Sequence, residues 1–175
     1  MTSDFVNPYQ RVSVFVDVQN MYHSAKNLYE ARVNYEAILS QALRGRNLIR
    51  ALAYVVESGA DVEKGFFDAL KKAGYEIKSK DLQIFAGGQK KADWDVGLAI
   101  DMIKMSPKVD CCVLVSGDGD YVPLIEYLQF LGLRVEVLSF KRSTSARLIE
   151  QADYFFDMDT EYQNFVKRID KKSKK

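Results

Sequence analysis

Five aspartates carry the chemistry that this sequence could perform. Asp17 closes the apolar run VSVFVD, Asp118 and Asp120 follow VLVSG with one glycine between them, and Asp95 and Asp101 lie in DVGLAIDM. Any aspartate at a helix start can cap free N–H groups and suit the helix dipole, which accounts for Asp93, Asp95 and Asp120 taken singly. That account fits Asp17 and Asp118 less well, because each ends an apolar strand where a desolvated carboxylate needs a partner. Carboxylates that converge in one pocket repel each other and hold protons more tightly unless a cation neutralises them. An all-oxygen donor set suits a hard divalent ion, Mg2+ or Mn2+. Such an ion beside a phosphodiester activates water and stabilises the leaving oxygen. Zinc is disfavoured, since His23 is the single histidine and the two cysteines, Cys111 and Cys112, are adjacent in an apolar run.

The elements that must position these residues alternate between strand and helix. RVSVFVD reads as a strand and VQNMYHSAKNLYEARV as a helix; LIRALAYVVES, ADVEKGFFDALKKAG and YEIKSKDLQIF read as strand, helix and strand. KADWDVGLAIDMIKM, CCVLVSG, DYVPLIEYLQFLG and LRVEVLSF continue the alternation, with helix stops at Gly74, Pro107 and Gly132. A further helix is expected over Ser143–Gln151, with extra helical segments over Tyr35–Leu43 and Thr160–Ile169. The pattern predicts an α/β three-layer sandwich around a mainly parallel, five-stranded sheet. Ligands in such sheets bind outside the carboxyl ends of the strands, where Asp17 and Asp118 fall.

The 175 residues suit a single domain over 1–175 with its core at about 11–158. The net charge of +1 conceals a basic tail, Lys167–Lys175, with six basic residues and one acidic; residues 1–166 hold 19 basic and 23 acidic residues. No apolar run approaches the roughly 20 residues needed to cross a bilayer, and MTSDFVNPYQ lacks the features of a signal peptide. The expectation is a cytoplasmic protein without membrane contact, its cysteines buried and reduced.

Several stretches occur together, in one order, from about Arg11 to Met158: VFVDVQNMYHSAK with its D-x-x-N start, KKADWDVGLAIDM, VLVSGDGDYVPLIEYLQFLGLRVEV with S-G-D-x-D, and SARLIEQADYFFDM. In these the chain resembles the NYN domain, in its LabA-like branch, within the PIN-like nuclease superfamily. The resemblance implies a PIN-like fold with strand order 3-2-1-4-5 and a divalent-metal ribonuclease acting on RNA, with Asp17, Asp95, Asp118 and Asp120 as acidic ligands. It also implies that Asn20 and Ser116 position water or phosphate and that hydrolysis leaves a 5′-phosphate. Asp101 matches the pattern too, yet it lies six residues after Asp95, about 240° round a straight helix, so the two cannot face one ion. The chain departs from the family in having Ala92 where glycine often follows the loop lysine, and then a large Trp94 before Asp95.

Other residues suggest substrate contacts. AGGQKKAD sets Lys90 and Lys91 beside two glycines, so backbone and cations could meet a phosphate together. Lys141, Arg142 and Arg147 follow the last strand, where Ser143–Ser145 also read as a helix N-cap. Tyr22, Trp94 and Tyr121 flank the acidic positions and could stack on unpaired bases of RNA or single-stranded DNA. Two other functions use the same residues: a non-catalytic RNA- or protein-binding module, and phosphoryl transfer through Asp17 with Lys141 as counter-charge. Against the second, Gln19 stands where a phosphatase wants an aspartate, and no acidic pair precedes Asp17. The final segment, Tyr162–Ile169, reads as an exposed helix that packs on the core or on a second copy in a homo-oligomer.

Overall fold

The structure, a computed structural model, describes residues 6–57, 62–81, 83–84, 86–88, 90–91 and 93–169, and leaves the side chains of 62–64, 83–84 and 90–91 undescribed. In chain order the principal elements are β1 (Arg11–Asp17), α1 (Val18–Tyr29), α2 (Tyr35–Leu43), β2 (Asn47–Glu57), α3 (Val62–Ala73) and β3 (Glu76–Asp81). There follow α4 (Asp95–Met105), β4 (Cys111–Val115), α5 (Val122–Phe130), β5 (Arg134–Ser139), α6 (Ala146–Gln151), β6 (Tyr154–Asp157) and α7 (Tyr162–Phe165). The main sheet runs β3-β2-β1-β4-β5-β6, with every neighbouring pair parallel.

The strands are apolar on both faces because helices cover both. Val14, Val16, Ala53, Cys111 and Val113 point into a core closed by Met21 and Ala25 of α1, Ile38 of α2, Leu70 of α3 and Phe165 of α7. Phe15, Leu52, Cys112 and Leu114 point the other way, under Leu98 and Met102 of α4 and Ile125 and Leu128 of α5. The period of two sends Cys111 and Cys112 into opposite cores, so they remain free thiols as expected. Burial pushes the Cys111 thiol up to about 12.

Four expectations change. The sheet has a sixth strand: YFFD, read only as a short apolar stretch, pairs with β5 from Glu136↔Tyr154 to Ser139↔Asp157. The helix after β1 stops at Tyr29, because Glu30 adopts a left-handed conformation with φ of 50° and returns its N–H to Ala25 and Lys26. Ala31–Val33 then pairs antiparallel with Val166–Arg168, so the expected helix over 160–169 is a short helix followed by a strand. That segment packs on its own chain, with Phe165 buried in the first core. YEIKSKDLQIF is likewise divided: only Glu76–Asp81 joins the main sheet, while Gln83–Ile84 forms a two-stranded ribbon with Lys90–Lys91. No helix among the described residues is long and apolar enough to cross a membrane.

At the amino end of the sheet, Glu136 of β5 is fully buried and accepts from Arg44 at 2.7 Å, Arg46 at 2.7 Å and Arg134 at 2.7 Å. Arg46, itself buried, also donates to the carbonyls of Leu43 and Ala42 and to Gln10. Burial would push the Glu136 carboxyl up, but these guanidinium groups hold it below its ordinary value. The cluster is fully satisfied and lies away from the carboxyl ends that carry the aspartates.

Candidate active site

The site grows out of the pairing of β1 with β4. Their register ends with Val16 beside Val115, so the next residues, Asp17 and Ser116, meet. Ser116 Oγ donates to Asp17 Oδ2 at 3.2 Å and accepts from the Asp118 N–H at 3.2 Å. Asp17 also caps α1, its Oδ1 accepting from the Asn20 N–H at 3.1 Å. Asn20 in turn uses its Oδ1 to accept from the Gly117 N–H at 2.9 Å. Asp118 begins a turn of 3₁₀ helix and accepts from the Asp120 N–H at 2.9 Å. The two strand ends are thereby tied into one hydrogen-bonded unit.

Caps occur where the sequence suggested ligands. Asp17 and Asp118 cap, whereas Asp95 stands inside the first turn of α4, whose N-cap position is Trp94 without a side-chain bond. Instead Asp95 Oδ1 accepts from the Tyr121 hydroxyl at 3.0 Å. Tyr121 is only 2% exposed, so it is a positioning residue rather than the stacking platform expected from its place beside Asp120.

Asp95, Asp118 and Asp120 each offer an oxygen within 4.8 Å of the others. Asp17 joins Asp95 and Asp118 in lining a crevice of about 330 Å³, together with Asp93, Trp94, Ser143 and residues of α1. Burial pushes the Asp17 carboxyl up to about 6, with the charges of Asp95 and Asp118 adding to it and the Asn20 and Ser116 hydrogen bonds opposing. Burial raises Asp95 as well; Tyr121 counters this, while Asp118, Asp93 and Asp120 reinforce it. Among the described residues no lysine or arginine forms an ion pair with these four carboxylates. Clustered, partly buried, oxygen-only and without a protein counter-charge among the described residues, the group fits a hard divalent cation.

Asp101 is not brought into this group. It faces away, as the helical geometry requires, and accepts from Lys78 Nζ at 2.6 Å and the Tyr54 hydroxyl at 2.8 Å. Burial would raise its carboxyl, but these partners hold it below its ordinary value. Its expected place among the metal ligands is therefore corrected: it joins α4 to β2 and β3. The Lys90 and Lys91 side chains lie outside the described residues, as does the tail from residue 170.

Trp94 is fixed as a wall of the crevice. Its indole N–H donates to the Val55 carbonyl at 2.9 Å, its ring meets Tyr54 edge-on, and Lys80 lies 4.6 Å from its centroid on the face. A Cβ at Gly97 would come within 2.7 Å of that ring. Of the basic residues after β5, Arg142 is turned to Asp159 and Tyr29, and Lys141 and Arg147 are exposed. Ser145 occupies the N-cap position of α6 without a side-chain bond, and Ser143 Oγ donates to Ser24 Oγ at 2.9 Å, so the serines do not cap as expected.

The glycines of SGDGD are needed for close approach. A Cβ at Gly117 would lie 2.7 Å from the Ser143 carbonyl oxygen, and one at Gly119 would lie 2.7 Å from Ser145 Oγ. The Ser145 N–H donates to the Gly117 carbonyl at 2.9 Å. The motif is thus pressed against the loop after β5, a contact signalled in the sequence only by the alternation of glycine with aspartate. Sequence reasoning also passed over Gln19, Ser24 and Asn27, which line the crevice from α1.

The chain is 26% identical over 172 residues to the low amplitude and bright protein LabA of Synechococcus elongatus, covering 92% of this chain and 90% of that protein. It is 24% identical over 166 residues to an uncharacterized Methanocaldococcus jannaschii protein, covering 94% of this chain and 62% of the other. The crystal structure of a Vibrio parahaemolyticus protein of unknown function superposes with a TM-score of 0.84 at 32% identity, covering 93% of this chain and 99% of that one. The NYN domain model matches residues 11–159, which include every strand of the main sheet and all the aspartates of the crevice. With that match over most of its length, the chain belongs to the NYN domain family.

Proposed function

We propose that this protein is a divalent-metal-dependent ribonuclease that hydrolyses RNA phosphodiesters at the crevice. The observation that carries the reading is the convergence of Asp95, Asp118 and Asp120 within 4.8 Å, beside the part-buried Asp17 and without a protein cation among the described residues. Membership of a family within a nuclease superfamily supports the same class of chemistry.

Asp17, Asp95, Asp118 and Asp120 would hold Mg2+ or Mn2+, which supplies Lewis-acid polarisation of the phosphoryl group and a water of lowered pKa. The chain's own residues do the orienting. Asn20 and Ser116 fix both oxygens of Asp17, and the Tyr121 hydroxyl fixes one oxygen of Asp95. Asp120, exposed at the mouth, is free to shift with the incoming phosphate and to complete the donor set. Lys90 and Lys91 would neutralise the flanking backbone, leaving specificity to other groups. The two hydrogen bonds on Asp17 tell against its use as a phosphate-accepting nucleophile.

Cleavage of a labelled single-stranded RNA with Mn2+, Mg2+ or EDTA tests the reading. Cleavage should require the ion, leave a 5′-phosphate and disappear in Asp118→Asn at an unchanged circular dichroism spectrum. Full activity in that variant, or in EDTA, would overturn it.

A further inference from the structure

The crevice has a second wall that carries no fixed charge. α1 presents Gln19, Asn20, His23, Ser24 and Asn27 to it, positions that share one face of a helix over about two turns. Asn20 is engaged with Gly117 and Ser24 with Ser143. Among the described residues, Gln19, His23 and Asn27 have no hydrogen-bond partner, although they line a concave space that also contains Trp94.

Two amides and an imidazole offer paired donors and acceptors. Phosphate calls for cations, so such a wall suits the edges of bases better than a nucleic-acid backbone. Tyr22, one step round α1, is 47% exposed, with His23 edge-on at 5.3 Å and Lys26 5.6 Å from its centroid. It gives the rim an aromatic face of the kind on which unpaired bases stack. An RNA duplex spends its Watson–Crick edges in pairing and holds its major-groove edges in a deep, narrow groove, so an unpaired strand is the form that offers a whole base edge to a concave wall beside the carboxylates.

The geometry points to a base-reading subsite on α1, in which His23, Asn27 and Gln19 hydrogen-bond the edge of an unpaired base next to the phosphate held at the aspartates, while Tyr22 stacks on the neighbouring base. The ligand class is single-stranded RNA, and the assignment rests on the ribonuclease reading for that class. It adds that binding discriminates among bases and that the discrimination resides in α1 rather than in the basic loops.

Fluorescence anisotropy with labelled A, C and U homopolymer octamers and an RNA duplex, on Asp118→Asn protein in Mg2+, separates this from catalysis. The three single strands should differ in affinity by about tenfold, in line with one good base-edge contact. His23→Ala with Asn27→Ala should compress that spread to within about twofold, while Tyr22→Ala should weaken all three by about tenfold. Equal affinities, a spread that survives the double substitution, equal binding of duplex, or no binding would each overturn the subsite. Cleavage of the same strands by the unsubstituted protein keeps the two readings apart. Base-dependent binding without cleavage leaves the subsite standing and removes the ribonuclease; cleavage with no base dependence in binding does the reverse.

Discussion

Replacing Asp17 by asparagine should stabilise the metal-free protein at pH 8. The folded state holds the Asp17 proton up to about pH 6, whereas the reference carboxyl releases it near 3.8. Between those values the folded protein binds more protons than the unfolded chain, so stability falls as pH rises through this window. Above it, the full cost of a part-buried anion beside Asp95 and Asp118 is present. A difference of about two units at 1.36 kcal/mol each amounts to about 3 kcal/mol. Asparagine keeps an acceptor for the Asn20 N–H and can donate to Ser116 Oγ, so it removes the charge without stranding either partner. Urea denaturation in EDTA at pH 8 should place the variant about 2–3 kcal/mol above the unsubstituted protein, with an unchanged m-value. At about pH 3, below both values, the two should coincide. A variant less stable at pH 8, or an advantage independent of pH, would refute the claim that desolvation and like charge dominate this carboxylate.

Two further substitutions test the frame around the site. Gly117→Ala drives a Cβ to 2.7 Å from the Ser143 carbonyl, a backbone atom that cannot swing aside; thermal unfolding should show a loss of about 1–3 kcal/mol together with lost cleavage. Gly65→Ala, in the exposed face of α3 with nothing within 4 Å, should instead gain about 0.5–1 kcal/mol and leave cleavage alone, and equal effects would discredit the steric argument. Glu136→Gln leaves buried Arg46 without its counter-ion and should cost about 3–5 kcal/mol in urea while the folded variant cleaves normally; a loss under 1 kcal/mol would mean that the guanidinium finds other partners.

The parts of the fold that sequence made legible are those governed by local periodicity. β1, β2, β4 and β5 are nearly continuous apolar runs because helices cover both faces, and each was placed to within about a residue or two. The strand YFFD was missed as a strand because four residues at a sheet edge carry no period, and its pairing with β5 depends on a partner close in space rather than on its own pattern. The tail segment failed for a related reason: its helical spacing from Thr160 gives way at Val166, where pairing with Ala31–Val33 wins over helix propensity. Among site residues, Asp17, Asp118 and Ser116 could be placed because strand ends define them. Tyr121 could not, since adjacency to Asp120 says nothing of its turning inward to Asp95. Asp101 shows that helical angle outweighs motif membership: six residues carry it to Lys78 instead of the crevice.

Capping and metal ligation appeared in the sequence as rival explanations for each aspartate, yet the two that cap, Asp17 and Asp118, also line the crevice. A carboxylate between a parallel strand and the following helix must look along the crevice at the carboxyl end of the sheet, because the helix N–H groups it serves open there. Asp118 Oδ1 accepts from the Asp120 N–H, and the helix turn it caps brings Asp120 within reach of the same space. Asp17 Oδ1 accepts from the Asn20 N–H, and the Asn20 side-chain oxygen in turn accepts from the Gly117 N–H. Each cap therefore fixes a loop that positions the next carboxylate, and the repulsion that accumulates is the cost registered in the raised proton affinity of Asp17 and Asp95. A site assembled in this way is held open by backbone geometry before any cation arrives. On the proposed reading, ion binding has little ordering to accomplish and releases electrostatic strain already present, so the stability gained on adding Mg2+ should be largest in the protein that keeps Asp17 and smallest in Asp17→Asn.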